Sequence, residues 1–125
     1  MPTSVKDMLA TANAAVPKLS PAEVQARIAA GNAVLLDVRD PPELAGGKLR
    51  GAVAVSRGML EFRADPAMPS HDARLLPGAM VLVYCASGGR AALAGKTLRD
   101  LGYAQVFNAG GFKELAEAGL PTEAG

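Results

Sequence analysis

The chain has 125 residues, half of them apolar and a fifth charged, a length and balance that suit one packed domain. Thirteen basic residues against twelve acidic ones leave a formal charge of +1. The charges are interspersed, which argues against nucleic acid or an anionic membrane as partner.

A single cysteine and a single histidine exclude an intrachain disulfide and disfavour a zinc site, so no metal or other cofactor is expected. No basic segment precedes an apolar core at the N-terminus, and no apolar run reaches membrane-spanning length. A lone thiol that must stay reduced suits a reducing compartment, and a cytoplasmic protein is expected.

Residues 1–16 place Val5, Met8, Leu9, Ala12 and Val16 at helical spacing, with Ser4 as cap three residues before Asp7. This predicts an N-terminal helical extension over 1–17, ahead of a domain over 18–125. The run Ser20-Pro21-Ala22-Glu23 combines a cap residue, proline at the first helical position and glutamate at the third. It starts a helix that reaches about Ala30 and stops at Gly31-Asn32.

Ala33-Val34-Leu35-Leu36-Asp37-Val38 reads as a central strand buried on both faces, ending in a carboxylate. Arg39, Asp40 and Pro41-Pro42 end it, a short helix passes through Glu43-Leu44, and Gly46-Gly47 closes that helix. Gly51 to Val55 reads as a short strand, and Arg57 to Phe62 as a helical segment with Arg57 on the surface. Asp65 to Gly78 holds three prolines and forms the longest loop. His71 within it reads as a solvated side chain without a partner for base catalysis.

Met80 to Tyr84 is the next strand, with Cys85 as the first residue after it. Ala86, Ser87, Gly88 and Gly89 then lead into a helix from Arg90 to Leu101 that buries Ala94, Leu98 and Leu101 and is stopped by Gly102. Gln105 to Phe107 is a last short strand. Gly110-Gly111 turns the chain into a final helix from Phe112 to Ala118. Strands and helices alternate, which predicts an α/β fold with a small parallel sheet and helices on both faces. Ligands of such sheets bind beyond the carboxyl ends of the strands, where Cys85 and the segment Asp37-Val38-Arg39 both lie. The two are expected to face one pocket.

The loop after the strand carries the chemistry. Small residues from Ala86 to Gly89 let the backbone curl its N–H groups inward. The next helix points the positive end of its dipole at the same place, and Arg90 adds a cation. All three favour an anion at the Cys85 sulfur, hence a nucleophile.

This loop resembles the active-site loop of the rhodanese family of sulfurtransferases, and the resemblance extends over roughly residues 18–123. Leu35-Leu36-Asp37-Val38-Arg39-Asp40 is similar to the family's first signature, an aspartate-x-arginine at a strand end followed by a Pro-Glu helix. Gly47-Lys48-Leu49-Arg50-Gly51-Ala52 is similar to its second, where the family commonly has histidine, isoleucine and proline at 48, 49 and 50. Gly102-Tyr103 and Gly110-Gly111-Phe112 resemble its C-terminal pattern, which usually continues to a tryptophan where this chain has Leu115.

The resemblance implies a rhodanese-like fold and a thiosulfate sulfurtransferase. Cys85 would take sulfane sulfur from a thiosulfate-like donor as a persulfide and pass it to cyanide or a thiol. A protein persulfide donor or acceptor is the alternative to small molecules. Ala86, Ser87, Gly88, Gly89 and Arg90 would form the persulfide-binding loop, with Arg90 binding the sulfonate end of the donor or steadying the loop. Asp37 and Arg39 would support the loop from the neighbouring strand.

Two other readings compete. One is a non-catalytic rhodanese-like binding or persulfide-carrier module. The other is a phosphatase or arsenate reductase of the same fold, whose loops place five residues between cysteine and arginine where this chain has the four from Ala86 to Gly89.

Overall fold

The computed structural model describes residues 2–125. Helix α1 (Val5–Ala15) and helix α2 (Pro21–Ala29) each begin with a full capping box, Ser4 with Asp7 and Ser20 with Glu23. Strand β1 (Ala33–Asp37) follows, then a 3-10 helix (Pro41–Gly46), and the short strands β2 (Lys48–Leu49) and β3 (Val53–Ala54). A second 3-10 turn (Arg57–Met59) leads into helix α3 (Leu60–Ala64). Beyond the long loop lie β4 (Met80–Cys85), α4 (Gly89–Asp100), β5 (Gln105–Gly111), α5 (Phe112–Glu117) and β6 (Thr122–Glu123).

The main sheet is parallel in the order β3-β1-β4-β5. The chain leaves β1 for one edge and then crosses to β4 on its other side, so the switch point lies between β1 and β4. Side-chain alternation splits the core in two. Leu36, Val38, Val55, Val81, Val83 and Cys85 pack with α3, α4 and the end of α1. On the opposite face Leu35, Leu82, Tyr84 and Ala109 pack with Val24 of α2, Leu115 of α5 and Leu49 of β2. The fold is therefore an α/β sheet covered on both faces.

Helix α1 lies on α4, burying Ala12 and Val16. A Cβ at Gly95 would stand 2.8 Å from Val16 Cγ1, so the missing side chain sets how closely the two helices approach. Among the described residues no helix is long and apolar enough to cross a membrane.

Several local expectations are corrected. Cys85 is the last residue of β4 rather than the first after it. The strand expected over Gly51–Val55 pairs only at Val53–Ala54. Strand β5 runs through Gly110-Gly111 instead of ending at Phe107, because an irregularity in the ladder pairs Val83 with Asn108 and Tyr84 with Gly110, leaving Ala109 as an extra residue. Gly110 takes up the bend at φ +94°. A two-stranded antiparallel pair, β2 with β6, was not foreseen, since two-residue strands carry no periodicity. Leu101 is half-buried, while Ala91, Ala92 and Gly95 join Ala94 and Leu98 inside. His71 is half-buried, its Nε2 lying 2.6 Å from the Leu75 carbonyl oxygen.

Candidate active site

Strand β4 delivers Cys85 at its carboxyl end on the α4 face, where the residue is 1% exposed. Ala86 and Ser87 are exposed and turn the chain. Gly88 then adopts φ +104°, ψ −16° as the residue capping α4, a left-handed conformation that side chains other than glycine's rarely take. This turn brings the Gly88 N–H onto the Cys85 sulfur, donor and Sγ 2.9 Å apart. The sulfur thus sits at the amino end of a 12-residue helix whose first N–H groups have no partner within the helix. The positive end of the helix dipole points to that place.

Three contacts fix the loop from outside. Asn108, 4% exposed in β5, donates from Nδ2 to the Gly88 carbonyl at 3.1 Å and accepts the Gly110 N–H on Oδ1 at 2.9 Å. Its grip holds the peptide plane that joins Gly88 to Gly89. Gly111 lies directly behind the loop: a Cβ there would run into the Ala86 carbonyl oxygen and come within 3.3 Å of Ser87 Cα. Arg90 reaches across to Glu43 with both terminal nitrogens, at 2.6 and 2.8 Å. Hydrogen bonds from Arg90, helped by the Asp40 backbone N–H, hold the Glu43 carboxyl down at about 2. Bonding to Glu43 raises the Arg90 guanidinium in turn, with a smaller contribution from the Cys85 sulfur.

Asp37 and Arg39 make a second carboxylate–guanidinium pair. Asp37 is fully buried and Arg39 6% exposed. The Arg39 Nε and Nη2 grip the carboxylate, Nη2 to Oδ2 at 2.8 Å, and Nη2 also donates to the Gly47 carbonyl at 2.8 Å. Its guanidinium lies 4.3 Å from the Phe112 ring centre. Burial works against the Arg39 charge, but the bonds and field of Asp37 outweigh it and raise the group above its ordinary value.

The two motifs do not share a face. Asp37 pairs in register with Tyr84 and lies on that side of the sheet, whereas Cys85 faces α4. Asp37 and Arg39 fasten the segment after β1, and Glu43 of that segment in turn fastens Arg90. The geometry thus makes a relay of supports.

Arg57 is tied to Glu61 and to Thr97 of α4. Lys48, the first of the three departures in the second signature, is bonded to Glu123 of β6 and to the Ala52 carbonyl. Sequence reasoning missed Glu43, Asn108 and Gly111. The signal for Asn108 was an amide directly after the apolar pair Val106-Phe107; nothing local marked Gly111 as a contact of the cysteine loop.

The chain is similar to several known proteins. A human thiosulfate:glutathione sulfurtransferase is 32% identical over 111 residues, which cover 83% of this chain and 96% of that protein. Thiosulfate sulfurtransferase PspE of Escherichia coli is 31% identical over 81 residues, 65% of this chain and 72% of its own length. Among solved structures, a protein of unknown function from Rhodopseudomonas palustris, described as a possible tyrosine phosphatase, superposes with a TM-score of 0.86 at 37% identity, covering 98% of this chain and 99% of that one. The family model of the rhodanese-like domain matches residues 20–118, and with the parallel sheet and cysteine loop in place this chain belongs to the rhodanese-like domain family.

Proposed function

We propose that the protein is a sulfurtransferase that carries sulfane sulfur on Cys85. The observation that carries the reading is the Gly88 N–H on the Cys85 sulfur, 2.9 Å away, at the amino end of α4. The Cys85 thiolate attacks the outer sulfur of a thiosulfate-like donor. A sulfur–sulfur bond forms, the bond to the sulfonate breaks, and sulfite leaves with the electron pair. The terminal sulfur of the persulfide then extends among the N–H groups from Ala86 to Arg90, which stabilise its charge as donors stabilise an oxyanion. A thiolate or cyanide attacks that sulfur, and Cys85 is released as thiolate. Arg90, occupied by Glu43, steadies the loop. Small-molecule donors and acceptors are the simplest partners, and a reducing compartment such as the cytoplasm suits a lone thiol that must be free at each turnover.

A phosphatase reading is favoured by the description of the Rhodopseudomonas palustris structure. Against it stand the four residues between Cys85 and Arg90, one fewer than phosphate loops use, and an arginine already bonded through both terminal nitrogens. The deciding experiment is intact-protein mass spectrometry after incubation with thiosulfate, then with cyanide. A gain of about 32 Da that cyanide removes, absent in Cys85→Ser, is expected of a covalent sulfur intermediate. A folded protein that gains nothing, or that hydrolyses an aryl phosphate instead, sinks the proposal.

A further inference from the structure

A cavity of about 270 Å³ opens at the carboxyl ends of β1 and β3. Two of its walls come from segments tied to the helix that follows the cysteine loop. Pro41 and Leu44 come from the 3-10 helix whose Glu43 holds Arg90, Met59 comes from the second 3-10 turn, and Arg63 comes from α3, which packs on α4. Val55 and Ser56 line it from the end of β3. Val55 and Cys85 belong to the same buried cluster, at the same level of the sheet with β1 between them. Two strand spacings put them roughly 10 Å apart.

The lining has two characters. Pro41, Leu44, Val55 and Met59 are apolar, and Met59 is 43% exposed. Ser56, Arg63 and Arg39 supply the polar groups, and Arg39 is already paired with Asp37. The Arg63 backbone is pinned, its carbonyl accepting the Asp72 N–H at 2.8 Å, while its side chain is exposed. Among the described residues every ion pair of an arginine involves Arg39, Arg57, Arg74 or Arg90 and none involves Arg63. A guanidinium of that kind over an apolar cavity suits an organic anion. Thiosulfate does not match: it is a compact, fully polar dianion with no use for four apolar side chains. The other substrate of the proposed reaction does.

We propose that this cavity seats the sulfur acceptor, a short peptidyl thiol bearing a carboxylate, and that Arg63 selects it by pairing with that carboxylate. The inference rests on Cys85 carrying sulfur as proposed above. With the carboxylate held at Arg63, the acceptor thiolate reaches the terminal sulfur of the Cys85 persulfide. The acceptor's sulfur–sulfur bond forms as the bond to Sγ breaks, and Cys85 leaves as thiolate with the electron pair. Oxidation state is conserved, since one persulfide replaces another.

The test compares glutathione, its carboxyl esters and 2-mercaptoethanol as acceptors for the parent, Arg63→Gln and Arg63→Lys. The expected result is a loss of about fivefold in the preference for glutathione over 2-mercaptoethanol in Arg63→Gln, largely restored in Arg63→Lys. Esterification should mimic Arg63→Gln in the parent and add nothing in the variant. A preference that is the same in all three proteins overturns the proposal.

A second readout is independent of turnover. S-methylglutathione cannot accept sulfur, and it should shift the Met59 methyl resonance saturably in the parent and only weakly in Arg63→Gln. Equal shifts in both, or none, overturn the cavity assignment even where thiosulfate loads Cys85. A selective shift with no loading of Cys85 upholds the binding site and removes the catalytic reading instead.

Discussion

Replacing Gly111 by alanine separates the cysteine loop from the fold that carries it. Gly111 has φ −113° and ψ 147°, extended backbone that alanine accepts without strain. The whole effect is therefore steric. The new Cβ would overlap the Ala86 carbonyl oxygen and stand 3.1 Å from the Ala86 carbonyl carbon and 3.3 Å from Ser87 Cα. All three are backbone atoms, so no side chain can swing aside and the loop must move by roughly 1 Å. Overpacking of this kind costs about 1–3 kcal/mol, which for a domain this size lowers Tm by about 3–12 °C. A misplacement of about 1 Å beside a reacting atom costs on the order of 10²-fold in rate. Gly89→Ala is the control, because its Cβ meets nothing within 4 Å and its φ is not positive. Thermal unfolding and thiocyanate formation from thiosulfate and cyanide read the two effects. Should Gly111→Ala keep parent activity, or Gly89→Ala lose as much, the idea that β5 sets the loop's position is wrong.

Three further outcomes are expected. Asn108→Ala leaves the Gly110 N–H without its partner and releases the Gly88 carbonyl, lowering stability by about 1–3 kcal/mol in a denaturant titration. Asn108→Asp should lose more activity than Asn108→Ala, because an acceptor then faces the Gly88 carbonyl; the reverse order would show that the amide acts through volume alone. Asp37→Asn strands the buried Arg39 charge and should cost about 3–5 kcal/mol, whereas an isolated surface pair would cost under about 1. In alkali, burial pushes Tyr103 up to about 12 from 10.0 and raises Tyr84 as well. Both phenols stay neutral in the folded state when the unfolded chain would ionise, so stability is full below pH 10.0 and falls as pH rises toward 12. These are the chain's two tyrosines and it has no tryptophan; phenolate absorbance should therefore rise together with loss of helical circular dichroism. Stepwise ionisation near pH 10 in a protein still folded would contradict the burial of both.

What could be read from the sequence followed from local rules. Capping boxes at Ser4 and Ser20, the apolar runs into Asp37 and Cys85, and the glycine-bearing turn before Arg90 each announce themselves within a few residues. Alternation of strand and helix then leaves few ways to build the sheet. The missed features depend on residues far apart in the chain. Glu43 meets Arg90 across 47 positions, Tyr84 accepts the Leu49 N–H across 35, and Gly111 matters only because Ala86 lies against it. The expectation that Asp37 and Cys85 share a pocket failed on register: Asp37 pairs with Tyr84, and the next residue of β4 turns to the other face. Two glycines that look alike in sequence also differ in duty, since Gly88 needs φ +104° and Gly89 begins an ordinary helix.

The two arginine–carboxylate pairs bear on what the site can hold. Asp37 ends β1 and Glu43 lies in the segment after it, and each arginine is bonded through more than one nitrogen. The Glu43 carboxyl, held at about 2 chiefly by the hydrogen bonds from Arg90, is charged at neutral pH and balances the arginine. With Arg90 offset, the attraction left for a bound anion comes chiefly from backbone N–H groups and the α4 dipole. Those suffice for a single charge spread over one or two sulfur atoms. A phosphate dianion needs an unpaired guanidinium for its equatorial oxygens, and here that would require displacing Glu43. Glu43→Gln weakens the pair without altering the length of the loop. If phosphate ester hydrolysis were to emerge in that variant, pairing would be what holds the site to sulfur; if it did not, the short loop from Ala86 to Gly89 alone would account for the selectivity.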